Sequence, residues 1–307
     1  MITIIQKELA DYFTSIRCVV LFALAIIISA AGLFAAQQGI RAASLPEGFV
    51  FLGLFTTQGS VIPSLTTLIA LLIPIIGIAL GFDAINSEHS GGTLSRILSQ
   101  PVFRDNVING KFLAGMLTLI IMVATIILVV SGYGLRMIGV PPTGEEAIRL
   151  ILYFLFTIVY GAFWLALAVL FSVVFRRIAT SLLTSIGAWL FFSIFIILIA
   201  QGIANSLVPT AGADTATLIR NAELQQAIMR TSPSVLFSEA TTVLLLPTIR
   251  SLGIITPTQM AFMLPNPLSL GQSTLIMWPQ LTSLIALSSI LFAISYVVFM
   301  RQEVRST

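Results

Sequence analysis

Charge is what this chain has least of. Only 9% of its 307 residues are Asp, Glu, Lys or Arg, whereas 57% are hydrophobic. A water-facing domain carries about 25% charged residues. Too few charges remain to cover an aqueous surface of this size, so lipid is read as the main solvent. Cysteine is nearly missing as well: Cys18 stands alone, and no intrachain disulfide can form. His89 is the single histidine, in a polar connector, and neither metal nor redox chemistry has the ligands it needs. The net charge of +3 is small and spread along the chain, unlike the footprint of a nucleic-acid binder. A nucleotide-binding P-loop is lacking too. Gly110-Lys111 is followed by Phe112, where a Ser or Thr must hold magnesium.

What the chain does have is long apolar runs. A bilayer-crossing helix needs roughly 20 apolar residues. Six windows qualify, at 18–38, 61–82, 112–133, 150–175, 178–201 and 280–300, and none contains Asp, Glu, Lys, Arg or His. Pro63 and Pro74 in the second are tolerable, because neighbouring helices satisfy the freed carbonyls. Six spans put both termini on one side. That side carries nine basic residues (Lys7, Arg17, Arg96, Arg104, Lys111, Arg176, Arg177, Arg301 and Arg305). The other carries six (Arg41, Arg136, Arg149, Arg220, Arg230 and Arg250) over longer loops. Short basic loops stay in the cytoplasm, so both termini and the 88–111 connector are expected there. The first apolar run exceeds a signal-peptide core and follows Glu8 and Asp11, so it is read as uncleaved.

Two segments are polar enough to stay out of the hydrocarbon. Residues 2–17 (ITIIQKELADYFTSIR) repeat Ile2, Ile5, Leu9, Tyr12, Phe13 and Ile16 at three- and four-residue spacing, with Lys7 and Asp11 on the other side. That pattern predicts an amphipathic helix lying in the membrane interface. Residues 202–279 form a long connector on the side opposite the termini. It reads as one helix over 214–230, capped by Asp214, and a second over 231–247 that starts at Ser232-Pro233. No charge occurs between Ser251 and Met300, so the later part is expected to hug the membrane or pack on the tops of the spans. A lid, a partner surface, a plug and a loop without a dedicated role all remain open for it.

The connector 88–111 (EHSGGTLSRILSQPVFRDNVINGK) is the most polar window in its half of the chain. Gly91-Gly92 breaks the helix and Thr93 can cap a new one. Leu94, Ile97 and Leu98 then share one face, with Ser95, Arg96 and Ser99 elsewhere, and Pro101 ends the segment. Asp105 can cap the helix that follows. The product is a two-turn helix below the membrane with an apolar ridge, suited to a groove on a cytoplasmic partner.

These residues resemble the membrane subunits of ABC-2 type exporters. Glu88, Gly92-Thr93-Leu94, Ile97-Leu98, Pro101, Arg104 and Gly110-Lys111 follow that family's connector in order and spacing. QKELADYF, with Ile5, Lys7, Glu8, Leu9 and Phe13 in or beside it, resembles the family's interfacial elbow helix. SPSVLFSEATTVLLLP resembles a segment of the long-loop subgroup, which includes permeases linked to copper-enzyme maturation, such as the nitrous oxide reductase type. Around Glu88 the chain departs from the family's denser charged run. The resemblance implies an all-α integral membrane protein with an ABC-2 (type V exporter-like) permease fold of six spans in a single domain over 1–307, in a prokaryotic cell membrane. It implies a coupling helix at 93–99, within a coupling loop at 83–111 that includes Arg96. The expected partners are an ABC ATP-binding subunit, a second permease copy or paralogue, and the lipid bilayer, but no nucleic acid. No cofactor is expected on this chain, with ATP and Mg on the partner.

Three other classes compete. An ion-coupled secondary transporter needs ionisable residues at membrane depth, and the apolar windows offer none; Asp83 and Arg149 at their edges read as interface anchors. An intramembrane enzyme lacks a catalytic constellation. A non-transporting scaffold that keeps the permease fold stays open. Of the tryptophans, Trp278 reads as an interface anchor, and Trp164 and Trp189 as mid-span packing or lipid contacts.

Overall fold

The computed structural model describes residues 1–42, 49–90, 103–210, 212–249, 252 and 267–302, with the side chains of 41, 42, 89 and 90 excepted. Among the described residues every regular element is a helix. In chain order these are α1 (Ile2–Thr14), α2 (Ile16–Ala42), the single turn α3 (Gly53–Thr56), α4 (Leu65–Gly81), α5 (Asn86–Ser90), α6 (Arg104–Ile138) and α7 (Gly144–Val174). Then come α8 (Ile178–Leu190), a π-helical turn (Phe191–Phe195), α9 (Ile196–Leu207), α10 (Thr215–Met229), α11 (Pro233–Leu245) and α12 (Leu270–Arg301).

Six stretches are long and apolar enough to cross a membrane: Ile16–Ile40, Leu65–Glu88, Arg104–Ile138, Gly144–Val174, Ile178–Leu207 and Leu270–Arg301. Each contains most or all of an apolar window from the sequence, and most are longer. The extra turns come from caps that a hydropathy scan does not register. Thr143 and Glu146 form a capping box that starts α7, and Ser269 and Gln272 form one that starts α12. Span six therefore begins at Leu270, ahead of the sequence-based 280, and Pro279 lies inside it rather than before it. The hydroxyls of Thr282 and Ser283 donate to the Pro279 carbonyl at that point. The longer helices also carry ions that the apolar windows excluded, notably Lys111 in α6 and Glu146 and Arg149 in α7.

The centre of the bundle is the pair α4 and α7, whose most apolar windows are each 61% buried, against 11% for the α8–α9 span. Gly77 sets their spacing: a Cβ there would lie 2.9 Å from Trp164 Cβ and 3.0 Å from the Gly161 carbonyl oxygen. Trp164 is fully buried and meets Phe163 edge-on at 5.1 Å, so it packs within the bundle rather than facing lipid. Trp278, by contrast, is exposed.

The connector after span five does not stay beyond the bundle. α10 turns back along α9, where Asn221 Nδ2 donates to Asn205 Oδ1 and to the Val208 carbonyl. α11 then packs on α7, α12 and α4. At its start, Ser232 Oγ donates at 2.7 Å to the carbonyl of Phe192, inside the π turn halfway along the Ile178–Leu207 helix. The wide turn shifts carbonyls out of the regular ladder, and a hydroxyl from the connector takes one of them. One turn on, Phe237 stacks on Tyr160 at 4.3 Å and on Phe156 at 5.5 Å. α10 and α11 thus form a re-entrant hairpin that reaches about mid-span. Residues 253–266 of the uncharged stretch lie outside the described residues.

Arg149 closes this end. It is fully buried and donates to the Leu244 carbonyl (2.8 Å), the Leu268 carbonyl (2.7 Å), Ser273 Oγ (3.0 Å) and the Glu145 carboxylate (2.8 Å). It clamps the end of α11 and the start of α12 to α7, where the sequence offered only an interface anchor. Glu146 sits beside it. One carboxylate oxygen closes the α7 capping box, and the other accepts from the backbone N–H groups of Phe51 (2.8 Å) and Leu52 (3.3 Å) just before α3. Negative charge is favourable at a helix N-terminus, and this carboxylate serves two of them.

Arg149→Met keeps the stem and removes the guanidinium. It leaves two carbonyls, a hydroxyl and a carboxylate unpaired, and a loss of about 3–5 kcal/mol of stability is expected, as for other broken buried pairs. Equilibrium unfolding in detergent micelles measures it; wild-type stability in that variant means the clamp carries nothing.

Candidate functional site

The end of the bundle that holds both termini gathers most of the remaining charge. α1 delivers Lys7, Glu8, Asp11 and Tyr12. Ser15 breaks the helix, and α2 sets off into the bundle with Arg17 in its first turn. The sequence expected one helix over 2–17; the backbone at Ser15 is extended (φ −79°, ψ 142°), and that bend lets α1 lie across the span ends. Ile2 and Ile16 are 70% and 75% exposed and Phe13 is exposed as well, so apolar side chains at both ends of α1 are left outside the bundle. Ile5 and Leu9 are half-buried. Glu8 is not on the polar surface: it is 8% exposed and faces the bundle.

Glu8 is met there by Lys111. The Lys111 ammonium, on a residue 5% exposed, donates to Glu8 at 2.9 Å and to Glu88 at 3.3 Å. Lys7 adds looser contacts to Glu8 (3.3 Å), Asp11 (3.4 Å) and Glu88 (3.7 Å). Next to Lys111, Gly110 makes the approach possible, because a Cβ there would lie 2.8 Å from Ile4 Cγ2 of α1. The Gly-Lys pair of the connector thus has a physical meaning. The glycine admits the elbow helix and the lysine fastens it.

The segment that leads out of α4 is held just as firmly. Ile85 and Asn86 donate their backbone N–H groups to Ser172 Oγ of α7 at 2.8 and 3.2 Å. Ser181 Oγ of α8 donates to the Phe82 carbonyl at 2.7 Å. Tyr12 donates its phenol to the Leu80 carbonyl at 2.8 Å. Arg17 pairs with Asp83 and lies 5.3 Å from the Phe82 ring centre. Past the connector, Arg104 opens α6 and donates to the Gln302 carbonyl at 3.1 Å, and Gln302 donates to the Val173 carbonyl at 2.7 Å. Both flanks of residues 91–102 are therefore pinned to α1, α7, α8 and the end of α12.

Of the residues singled out by sequence, the structure brings together Glu88, Lys7 and Glu8. It places Arg104 on a separate contact with the chain end. Ile5, Leu9 and Phe13 line the elbow. Gly92, Thr93, Leu94, Arg96, Ile97, Leu98 and Pro101 lie outside the described residues. Sequence reasoning missed Asp83, Arg17, Tyr12, Ser172 and Ser181 as parts of this site. A usable signal existed for Glu8, which falls at i+4 from Ile4 and i−4 from Tyr12 on the buried side of α1.

Charges set the local acid–base behaviour. Burial alone would lower the Lys7 ammonium; the carboxylates of Glu8, Glu88 and Asp11 outweigh it and hold Lys7 above its ordinary 10.5. Burial, with Glu8 and Asp83 nearby, pushes the Tyr12 phenol well above its ordinary value of 10.0.

Helices that are long and apolar enough to cross a bilayer six times define an integral, multi-pass membrane protein. A family model described as ABC-2 family transporter protein matches residues 2–304, and the chain belongs to that family. It is similar to the probable ABC transporter permease protein NosY of Pseudomonas aeruginosa, at 32% identity over 196 residues, 62% of this chain and 66% of that protein. It is also similar to the probable ABC transporter permease protein NosY of Stutzerimonas stutzeri, at 41% identity over 58 residues, 19% of this chain and 21% of that one. The matches span under two thirds of either relative's own length.

Two outcomes are expected. Lys111→Met takes from Glu8 and Glu88 the ammonium they share and leaves the longer Lys7 contacts (3.3 and 3.7 Å), and α1 should loosen, at a cost of about 1.5–3 kcal/mol; protease access at the Ser15 bend reports it, and unchanged protection refutes the role. Both Lys7 and Tyr12 bind their protons more tightly when folded. Their contribution is complete below about pH 10 and is lost as pH rises through the folded values. Hydrogen exchange in α1 should stay flat from pH 7 to about 10 after correction for intrinsic rates and accelerate above it, with less acceleration in Tyr12→Phe.

Proposed function

We propose that this chain is the permease subunit of an ATP-driven exporter, in which a separate ATP-binding subunit hydrolyses ATP and pushes on the 91–102 connector. Both termini face the cytoplasm, as the excess of Lys and Arg on that side requires. Two permease chains, identical or related, face each other across the transport path. The chain itself is not an enzyme.

One observation carries the reading: the two flanks of the connector are fastened to each other through Lys111 and Glu88, and through Glu8 to the elbow helix. A segment pinned this way cannot yield locally when pushed. Force applied at Leu94, Ile97 and Leu98 passes into α4 and α6 and tilts α1 with them. The family match over residues 2–304 and the printed names of the two relatives agree with a permease role. Charged residues of the six spans with described side chains cluster toward the span ends, and the hairpin carries the Arg230–Glu239 pair (3.0 Å) toward mid-span. Charge that is paired in this way suits an amphipathic or apolar cargo better than a free ion.

Leu94→Asp with Ile97→Asp is expected to abolish permease-dependent stimulation of ATP turnover in the reconstituted complex while the spans stay folded. Unchanged turnover and assembly in that double variant overturn the coupling role.

A further inference from the structure

Spans two and five each have a gap in the hydrogen-bond ladder of the helix. In span two, Pro74 lies inside α4 and is buried. Proline has no N–H, so the carbonyl four residues earlier, that of Ala70, loses its ordinary donor. In span five the gap is the π turn. A regular α-helix would direct the Ile196 amide to the Phe192 carbonyl; here it reaches Phe191 and Ile194 instead. Each of these two carbonyls is taken by a hydroxyl from outside its own helix. Tyr160 Oη of α7 donates to Ala70 at 3.1 Å, and Ser232 Oγ donates to Phe192 at 2.7 Å.

The two hydroxyls meet through one turn of α11. Ser234, two residues after Ser232, places its Oγ 3.0 Å from Tyr160 Oη and 3.4 Å from Oγ of Ser193, inside the π turn. Proton supply fixes the direction, because a hydroxyl has one proton to give. Tyr160 gives its proton to Ala70, so Ser234 donates to Tyr160. Ser193 in turn donates to Ser234. The chain runs one way, from Ser193 through Ser234 and Tyr160 to the Ala70 carbonyl.

We infer that this hydroxyl chain is a mechanical link, which makes span two at Pro74 and span five at its π turn flex together, with the first turn of α11 as the shared clasp.

Three physical features support the link. A helix bends most easily where its ladder is interrupted, and the hydroxyls that serve both interruptions converge on Ser232 and Ser234. Within a bilayer no water replaces a lost partner, and hydrogen bonds in a chain strengthen one another. Neither carbonyl can therefore be released alone without leaving a bare polar group. The Tyr160 ring is also held, stacked on Phe237 with 12° between the planes and edge-on to Trp164 at 6.2 Å. Its hydroxyl cannot swing away, so it moves only as α7 and α11 move. The consequence for a permease rests on the reading that the connector is pushed: span two receives the push, and the hairpin and span five receive it from span two through Tyr160. Tyr160 is a positioning residue in this scheme and has no need to touch cargo.

The link is tested without nucleotide or partner, so its failure leaves ATP coupling standing, and failure of ATP coupling leaves the link standing. Hydrogen exchange of the full chain in lipid nanodiscs is followed by mass spectrometry in peptides covering 75–80 and 192–200. Tyr160→Phe keeps the ring on Phe237 and removes the hydroxyl. It should speed exchange about fivefold in both windows, the size of one net hydrogen bond. Ser232→Ala touches span five alone. It should speed 192–200 about fivefold and, through the link, 75–80 about twofold. That distant response should vanish when Tyr160→Phe is already present, and Ser232→Thr, which keeps the hydroxyl, should exchange like the wild type. Ser234→Ala cuts the chain at its middle and should give the two-window pattern even where Tyr160→Phe does not fold. A response to Ser232→Ala confined to 192–200 overturns the link. So does a distant response that persists unchanged beside Tyr160→Phe, or an even acceleration across all six spans.

Discussion

One ammonium group decides how the terminal end of this molecule is built. Lys111 is 5% exposed and reaches a carboxylate from α1 and a carboxylate from the end of span two. A lone buried charge costs several kcal/mol; paired on two sides it becomes a fastening. The three elements it joins are otherwise far apart in sequence, and each has a different task. α1 packs on α6, α6 is long and apolar enough to cross a bilayer, and Glu88 leads into the connector. Because they share one ion, none can shift without the others, and Gly110 completes the arrangement by admitting α1 at close range.

The opposite end follows the same physical logic with different partners. There the buried cation is Arg149, and most of its partners are carbonyls and a hydroxyl rather than carboxylates. It holds the re-entrant hairpin in place at its C-terminal end, while Ser232 and Phe237 fix the other end against the π turn and the Tyr160 ring. Between the two fastened ends, helix packing is apolar and close, with glycine where α4 meets α7. The α8–α9 span is the least buried of the six, so its outer face is left to lipid or to another chain.

The spans were legible in the sequence because hydropathy over twenty residues is a strong signal. The helix α1 was legible because its apolar residues recur at helical spacing, though its break at Ser15 was not. The ends of the spans were harder to read. Thr143-Glu146 and Ser269-Gln272 are capping boxes visible in the letters, yet a charge-free window stops short of them, and Pro279 looked like a boundary when it lies inside α12. The partners of Glu8 and Arg149 were not legible at all. Glu8 and Lys111 are 103 positions apart, and Arg149 and Leu268 are 119 apart. Local pattern carries no record of such contacts. The depth of the hairpin was hidden for the same reason: α11 is apolar whether it lies on the bundle or within it.

Glu146 has a consequence for the order in which the chain can be completed. Its carboxylate caps the backbone at Phe51 and Leu52, which leave the ribosome 95 and 94 residues earlier. During synthesis the turn that follows span one must therefore wait, with its amides hydrated, until the fourth span has been delivered to the membrane. Glu8 waits in the same way for Lys111. The first two spans enter the bilayer as provisional guests, and the later ones lock them in.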